Sequence, residues 1–225
     1  MSEAHSSALQ HHFASLEQQK ETSVLGMWAF LVQEVLFFGG LFTAYTVYRN
    51  QYYSVFEACS HHLDWKLGAF NTAVLIGSSL TMALGVYAAA VGKGKAAAVW
   101  LMLTIALGGV FLGVKVVEYG EKFEHHLVPG PNFLAPEKAA HELKIAPEQA
   151  GQAQIYFSLY FAMTGLHAFH MIVGMPIIAW LAWKAWQGAY GPEYSTPVEM
   201  TGLYWHFVDI VWIFLFPLLY LIGHH

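Results

Sequence analysis

Apolar residues run along this chain in five long blocks, at about 24–48, 67–91, 96–118, 153–183 and 199–223, broken only by single polar positions. At a rise of about 1.5 Å per residue, each block is long enough to cross a hydrocarbon layer of about 30 Å. A membrane barrel would instead show alternating segments of about ten residues, so the pattern predicts helices. The expected fold is all-α, a polytopic membrane protein built as a bundle of five transmembrane helices. A polar tail, residues 1–23, precedes a membrane domain at 24–223, and a surface loop spans about 120–151. The first block is too long for a cleaved signal peptide and no small-residue cleavage site follows it, so it reads as a retained helix.

Spacing within the blocks predicts how the helices pack. Ala69, Ala73, Gly77, Thr81, Gly85 and Ala89 recur at every fourth position in the second helix. Such a stripe lets a neighbouring helix approach closely where no hydrophobic force draws helices together. Gly109 and Gly113 are assigned the same role in the third helix, and Pro176 and Pro217 are expected to bend the last two. The 120–151 loop carries Pro129, Pro131, Pro136 and Pro147 with an amphipathic piece near 137–143. It reads equally as an ordered surface cap or as a plain spacer.

Composition narrows the function. Charged residues make up 11 % of the chain against 56 % hydrophobic, where a soluble domain carries about 25 % charged. Ten basic residues and a formal charge of -5 are too little to neutralise a phosphate backbone, which excludes nucleic-acid binding. The single Cys59 offers no disulfide within the chain. The basic turn Gly92-Lys93-Gly94-Lys95 is placed on the cytoplasmic side by the positive-inside rule, which puts the N-terminus inside and Gly223-His224-His225 outside. His5, His11 and His12 of the tail are read as solvated.

Polar residues within the apolar blocks carry the candidate chemistry, because each is expensive in hydrocarbon. Glu34 sits near mid-membrane in the first helix. It reads either as a group that handles a proton or contacts a lipid, or as a protonated carboxyl joining two helices. His167 and His170 lie three apart on the fourth helix, and His206 and Asp209 repeat that spacing on the fifth. They form either an interhelical polar network or a metal site of three imidazoles and a carboxylate. Lys115 and Glu118 are read as an interfacial ion pair with the lysine snorkelling. No catalytic residue is identified.

Several motifs resemble one family. Residues 28–48, WAFLVQEVLFFGGLFTAYTVY, resemble the Glu-containing helix of subunit III of haem-copper respiratory oxidases, the cytochrome c oxidase subunit 3 family. Phe70-Asn71-Thr72 opens the next helix as in that family, and KVVEY at 115–119 matches its membrane-edge Glu-Tyr. TGLHAFHMIVG at 164–174 and YWHFVDIVW at 204–212 are similar to its last two signatures. The order and spacing hold over about residues 24–223.

The resemblance implies a subunit with no haem, copper or other metal of its own, those groups belonging to the partner catalytic subunits. It implies packing on subunit I of a proton-pumping oxidase in a bacterial inner membrane, together with subunit II and either a small subunit IV or a larger supercomplex. It further implies support of proton uptake, complex stability and phospholipid binding. Glu34 falls on the family's buried carboxylate, Glu118 on its membrane-edge glutamate, and His167, His170, His206 and Asp209 on positions used structurally. The chain lacks the two leading helices of the seven-helix form, which wall the family's lipid cleft. QEVLFF looks more like the cytochrome c branch, whereas the His-rich tail and EHHLVPGP look more like the quinol branch. A subunit III of a quinol oxidase is therefore the alternative, and a stand-alone membrane metalloenzyme or proton transporter the more distant ones.

Overall fold

The computed structural model describes residues 9–131 and 133–222. His5 of the tail and Gly223-His224-His225 lie outside the described residues. Helix α1 spans Leu16–Gln51, a short α2 Tyr53–Ser60, α3 Trp65–Ala90, α4 Gly94–Glu124, a short α5 Pro136–Leu143, α6 Ala150–Trp186 and α7 Thr196–Tyr220. Five of these, α1, α3, α4, α6 and α7, are long and apolar enough to span a membrane, as the pattern predicts.

Helix α1 begins at Leu16, earlier than the apolar block, because its polar start is well capped. Ser15 accepts a hydrogen bond from the amide of Gln18, and the Gln18 side chain accepts one from the amide of Ala14. The last stretch of the polar tail is therefore helical; hydrophobicity marks burial rather than helicity. Asp64 caps α3 through the amides of Lys66 and Leu67. The tight turn from α3 to α4 requires a left-handed residue, which Gly92 supplies at φ 77°, and Lys93 N–H closes back on Ala88 O at 2.9 Å.

Helices α3 and α4 form an antiparallel hairpin. They close a four-helix ring with α6 and α7, and α1 lies outside the ring against α6 and α7. Trp205, Trp212, Phe111, Met163 and Met171 are fully buried in the ring. Much of α1 faces outward, with Leu25, Val32, Val35, Leu36 and Phe37 exposed. In a bilayer such a face needs no protein cover.

The small-residue stripe of α3 works only in its later half. Gly85 packs on Leu101, and Thr81 donates to or accepts from Thr104 at 2.8 Å, whereas Ala73 is exposed. A four-residue repeat on a helix of 3.6 residues per turn drifts about 40° per step, so it cannot hold one face throughout. Gly109 and Gly113 contradict their expected role, since both are exposed and meet nothing on α4's outer side. The close approach is made instead at Gly108, beneath the Trp205 ring, and at Gly174, between Tyr204 and Trp205. Pro176 and Pro217 lie inside α6 and α7.

One end of the bundle is covered by α2, α5 and the connecting loops. Phe56 of α2 packs against Tyr45 and Tyr156, with centroids 5.5 and 5.2 Å apart. Three donors from three elements cap the end of α7. Tyr45 donates to Leu218 O at 2.7 Å, Tyr156 to Leu219 O at 3.1 Å and Ser60 to Ile222 O at 2.6 Å. Terminal carbonyls that a helix cannot satisfy itself are thus bonded by side chains. Helix α5 packs inward, with Ala139 and Leu143 buried. It is tied down through Glu142, whose carbonyl lies 3.1 Å from His62 Nε2 and whose carboxylate lies 2.8 Å from His125 Nδ1. Helix α2 has no counterpart in the sequence prediction, because Tyr53–Ser60 is too short for a periodic signal to stand out. Burial of Cys59 in α2 pushes its thiol up to about 12, so it stays protonated and unreactive.

This packing sets a stability expectation. A Cβ at Gly174 would stand 2.9 Å from the Tyr204 ring, so Gly174→Ala should destabilise the bundle by about 1–3 kcal/mol. Gly109→Ala meets nothing within 4 Å and should leave stability unchanged or slightly raised. Thermal unfolding midpoints in detergent check both, and equal losses would contradict the packing described.

Candidate functional site

Two polar centres stand out within the spans, one open at the protein surface and one sealed inside. The open one is built on α1 and α6. Glu34 points from the middle of α1 toward α6, is 8 % exposed, and places Oε2 3.2 Å from His170 Nε2. His170 Nδ1 lies 2.9 Å from the carbonyl of Leu166, one turn back on its own helix. A carbonyl only accepts, so Nδ1 carries a proton. Nε2 must then accept from a protonated Glu34 or, having taken that proton, donate to the carboxylate. The pair is neutral overall in both arrangements, and the proton has two places to rest.

Around this pair lies a cleft of about 430 Å³ between α1, α6 and α7. Met27 and Phe30 line it from α1, Phe169, Val173 and Ile177 from α6, and Thr201 and Tyr204 from α7. Its walls are otherwise apolar, and Phe169, Val173 and Ile177 are exposed, so the cleft opens sideways toward the surrounding hydrocarbon. Tyr204 donates to the carbonyl of His170 at 2.8 Å and holds the fourth and fifth spans in register there.

The sealed centre joins α4, α6 and α7. Lys115 Nζ donates to Glu118 Oε2 at 2.8 Å, to the Tyr220 hydroxyl at 2.8 Å and to that of Tyr160 at 3.3 Å. The other carboxylate oxygen accepts from Tyr160 at 2.7 Å and from Tyr220 at 2.6 Å. The rings of Tyr119, Tyr160, Trp212 and Tyr220 surround the ammonium at 5.1–5.5 Å. Lys115 and Glu118 are 3 % and 2 % exposed. The lysine therefore does not snorkel; both side chains are sealed inside the bundle, level with the last residue of α7. The pair falls on the inward stripe Leu101, Thr104, Gly108, Phe111, Lys115, Glu118, Lys122, spaced alternately by three and four. That register was present in the sequence and would have placed both charges inside. Lys122 follows the same stripe and donates to the carbonyl of His62 at 2.6 Å.

The four residues read as one polar network do not form one. His170 pairs with Glu34, whereas His206 Nδ1 pairs with Ser79 at 2.7 Å on α3. His167 is buried between Phe111 and Trp212, at centroid distances of 5.3 and 5.2 Å, and neither ring nitrogen has a hydrogen-bond partner among the described residues. The carboxylate of Asp209, on the side of α7 near Ser79, accepts no well-formed hydrogen bond among the described residues. Spacing by three aligns residues along one helix but leaves open which neighbour each one faces. Among the described residues, no group of three or more His, Cys, Asp or Glu side chains is arranged to hold a metal. The sequence reading also missed the tyrosines, since Tyr160, Tyr204 and Tyr220 are indistinguishable from bulky apolar residues until their hydroxyls find partners.

Comparison with known proteins agrees with this architecture. A family model described as "Cytochrome c oxidase subunit III" matches residues 141–224, which hold α6, α7 and their signatures. The chain is 31 % identical to the cytochrome c oxidase subunit 3 of Thermostichus vulcanus, over 88 % of this chain and 87 % of that one. It is 32 % identical to the protein of the same name from Corynebacterium diphtheriae, over 93 % and 92 % of the two chains. A quinol oxidase subunit 3 of Bacillus subtilis is 28 % identical over 93 % of each.

The sealed centre gives a direct expectation. Removing one partner of a buried pair strands the other charge, so Lys115→Met or Glu118→Gln alone should cost about 3–5 kcal/mol. The double change Lys115→Met/Glu118→Leu should recover most of that loss, because no charge is left to desolvate. Unfolding midpoints of the three variants decide, and a double variant as unstable as the singles would show that the charge pair is not the source.

Proposed function

The chain belongs to the cytochrome c oxidase subunit III family of haem-copper oxidases, and from that membership we propose that it is the accessory, non-redox subunit of a proton-pumping cytochrome c oxidase. In this reading it packs on subunit I, with subunit II and either a small subunit IV or a larger supercomplex nearby. The complex sits in a bacterial inner membrane, N-terminus in the cytoplasm and C-terminus in the periplasm. Electrons pass from cytochrome c to oxygen through haem and copper held by the partner subunits. This chain contributes proton uptake, stability and lipid contact.

The observation that carries the reading is the Glu34–His170 pair at the floor of the open cleft. There a titratable group inside a span meets both a second proton acceptor and an opening to the outside of the bundle. A protonated Glu34 and a neutral His170 form the resting state, the arrangement that separates no charge in hydrocarbon. The cleft beside α1 opens to the outside of the bundle, and in this reading it takes a phospholipid chain or a surface of subunit I.

A cytochrome c donor is supported by the glutamate at position 34 and by relatives named for cytochrome c oxidase. A quinol donor is the second reading, favoured by relatives such as the Bacillus subtilis quinol oxidase subunit 3. Turnover of the purified complex with reduced cytochrome c against a quinol separates the two.

Affinity purification through a tag on this chain, in mild detergent, tests the whole reading. The complex should carry haem and copper, and the chain stripped from it should carry neither. Stoichiometric metal on the lone chain without a haem partner would overturn it. For the site, Glu34→Gln keeps the hydrogen bond and should assemble normally, whereas Glu34→Ala should weaken the α1–α6 contact by about 1–3 kcal/mol. A hydrophobic carbodiimide, which reacts with protonated buried carboxyls, should label Glu34. Absence of labelling in the folded complex would contradict the protonated resting state.

A further inference from the structure

The closing signature at 204–212 leaves His206 and Asp209 outside both polar centres, yet the two meet at one place on α3. His206 Nδ1 lies 2.7 Å from the Ser79 hydroxyl, and the Asp209 carboxyl stands beside the same residue, short of a well-formed hydrogen bond. Together they make a small polar cluster on the seam between α3 and α7. The serine is in the middle, whereas in a nucleophilic triad the histidine lies between serine and acid.

Depth makes this cluster costly. Ser79 stands about 21 Å from the start of α3, and His206 about 21 Å from the end of α7, two helix ends that pack together through Gly68 and Tyr220. Each is about 15–17 Å from the other end of its helix, so the cluster sits near the middle of a hydrocarbon layer of about 30 Å. Asp209 is 3 % exposed, but Ser79 and His206 are only partly buried. Around them Ile76 and Leu80 on α3 and Ile210 and Ile213 on α7 face outward.

Asp209 has no ion-pair partner among the described residues, and hydrocarbon then admits it only as the neutral acid. One arrangement uses every proton within the cluster. Asp209 O–H turns to Ser79 Oγ, Ser79 O–H donates to His206 Nδ1, and His206 carries its own proton on Nε2. The reverse direction would strand the Asp209 proton. Nε2–H has no acceptor among the described residues. Acyl chains offer none either, and lipid headgroup oxygens are half a membrane away.

Resting on the reading of this chain as one subunit of a membrane complex, we propose that the α3–α7 face carries a transmembrane helix of another subunit. That helix accepts a hydrogen bond from His206 Nε2 through a polar side chain near its midpoint. Ala73 and Ala83 flank Ile76 and Leu80 on the exposed line of α3, and their small size lets such a helix come close. This face is separate from the Glu34 cleft, which opens between α1, α6 and α7.

The test uses the purified complex with Ile210→p-benzoylphenylalanine, a photoreactive side chain that inserts into a neighbouring C–H bond on irradiation. The expected product joins this chain to one other subunit, in a span with an acceptor side chain at the level of the crosslink. Adducts with lipid alone would overturn the docking face, and so would a wholly apolar partner span. His206→Leu removes the donor and should shift detergent-induced release of this chain by about threefold, whereas His206→Gln keeps a donor and should restore retention. Unchanged retention of His206→Leu would overturn the hydrogen bond. The crosslink is made with His206 in place, so it decides even where His206→Leu fails to fold. Haem and copper in the same complex keep the two readings apart. Lipid adducts in a haem- and copper-bearing complex overturn the docking face alone, and a crosslinked span in a complex without them supports the face and overturns the oxidase reading.

Discussion

An ammonium and a carboxylate inside a membrane bundle persist only when every ammonium proton and both carboxylate oxygens have partners. The cluster of Lys115, Glu118, Tyr160 and Tyr220 meets that condition through five hydrogen bonds among four side chains on three helices. Its dependence on mutual position is strict: moving any one of α4, α6 or α7 by an ångström or two would break bonds that no water replaces. Dispersion packing in lipid is indifferent to small slips between apolar helices. The charge cluster is not, and it fixes the axial and rotational register on which the other contacts of the ring rest.

The Glu34–His170 pair shows the opposite balance. It also joins two spans, but it uses one hydrogen bond between side chains and borders an open cleft. A sealed, fully bonded cluster suits a fixed scaffold, whereas a half-open pair can change state without disturbing the frame. The chain separates these tasks in space, with the rigid centre inside the four-helix ring and the adaptable one on the seam with α1.

The sequence made the five spans, their approximate limits and the cap helix α5 legible because hydrocarbon thickness and helical rise leave few alternatives. The family signatures were legible for the same reason, as each sits within a predicted span. Which way a residue faces was less accessible. Gly109 and Gly113 looked like contact points and face outward, while Gly108 next to them lies beneath Trp205. His167 and His170 share a helix face by spacing, yet one sits between aromatic rings and the other pairs with Glu34. Partner choice depends on the rotation of the opposing helix, which no single helix encodes. The inward facing of Lys115 was readable from the three-four register of α4, but the expectation that membrane lysines snorkel outweighed it.

The capping of α7 bears on how the chain is made. The hydroxyls of Tyr45, Ser60 and Tyr156 belong to segments synthesised before α7, and the carbonyls they bond belong to its last turn and the residues beyond. Until that final turn emerges, three donors wait at one end of an unfinished bundle with no acceptors to meet. Arrival of the last turn of α7 therefore coincides with closure of this polar end, so a product interrupted before Leu218 differs in kind, and not merely in length, from one that carries that turn.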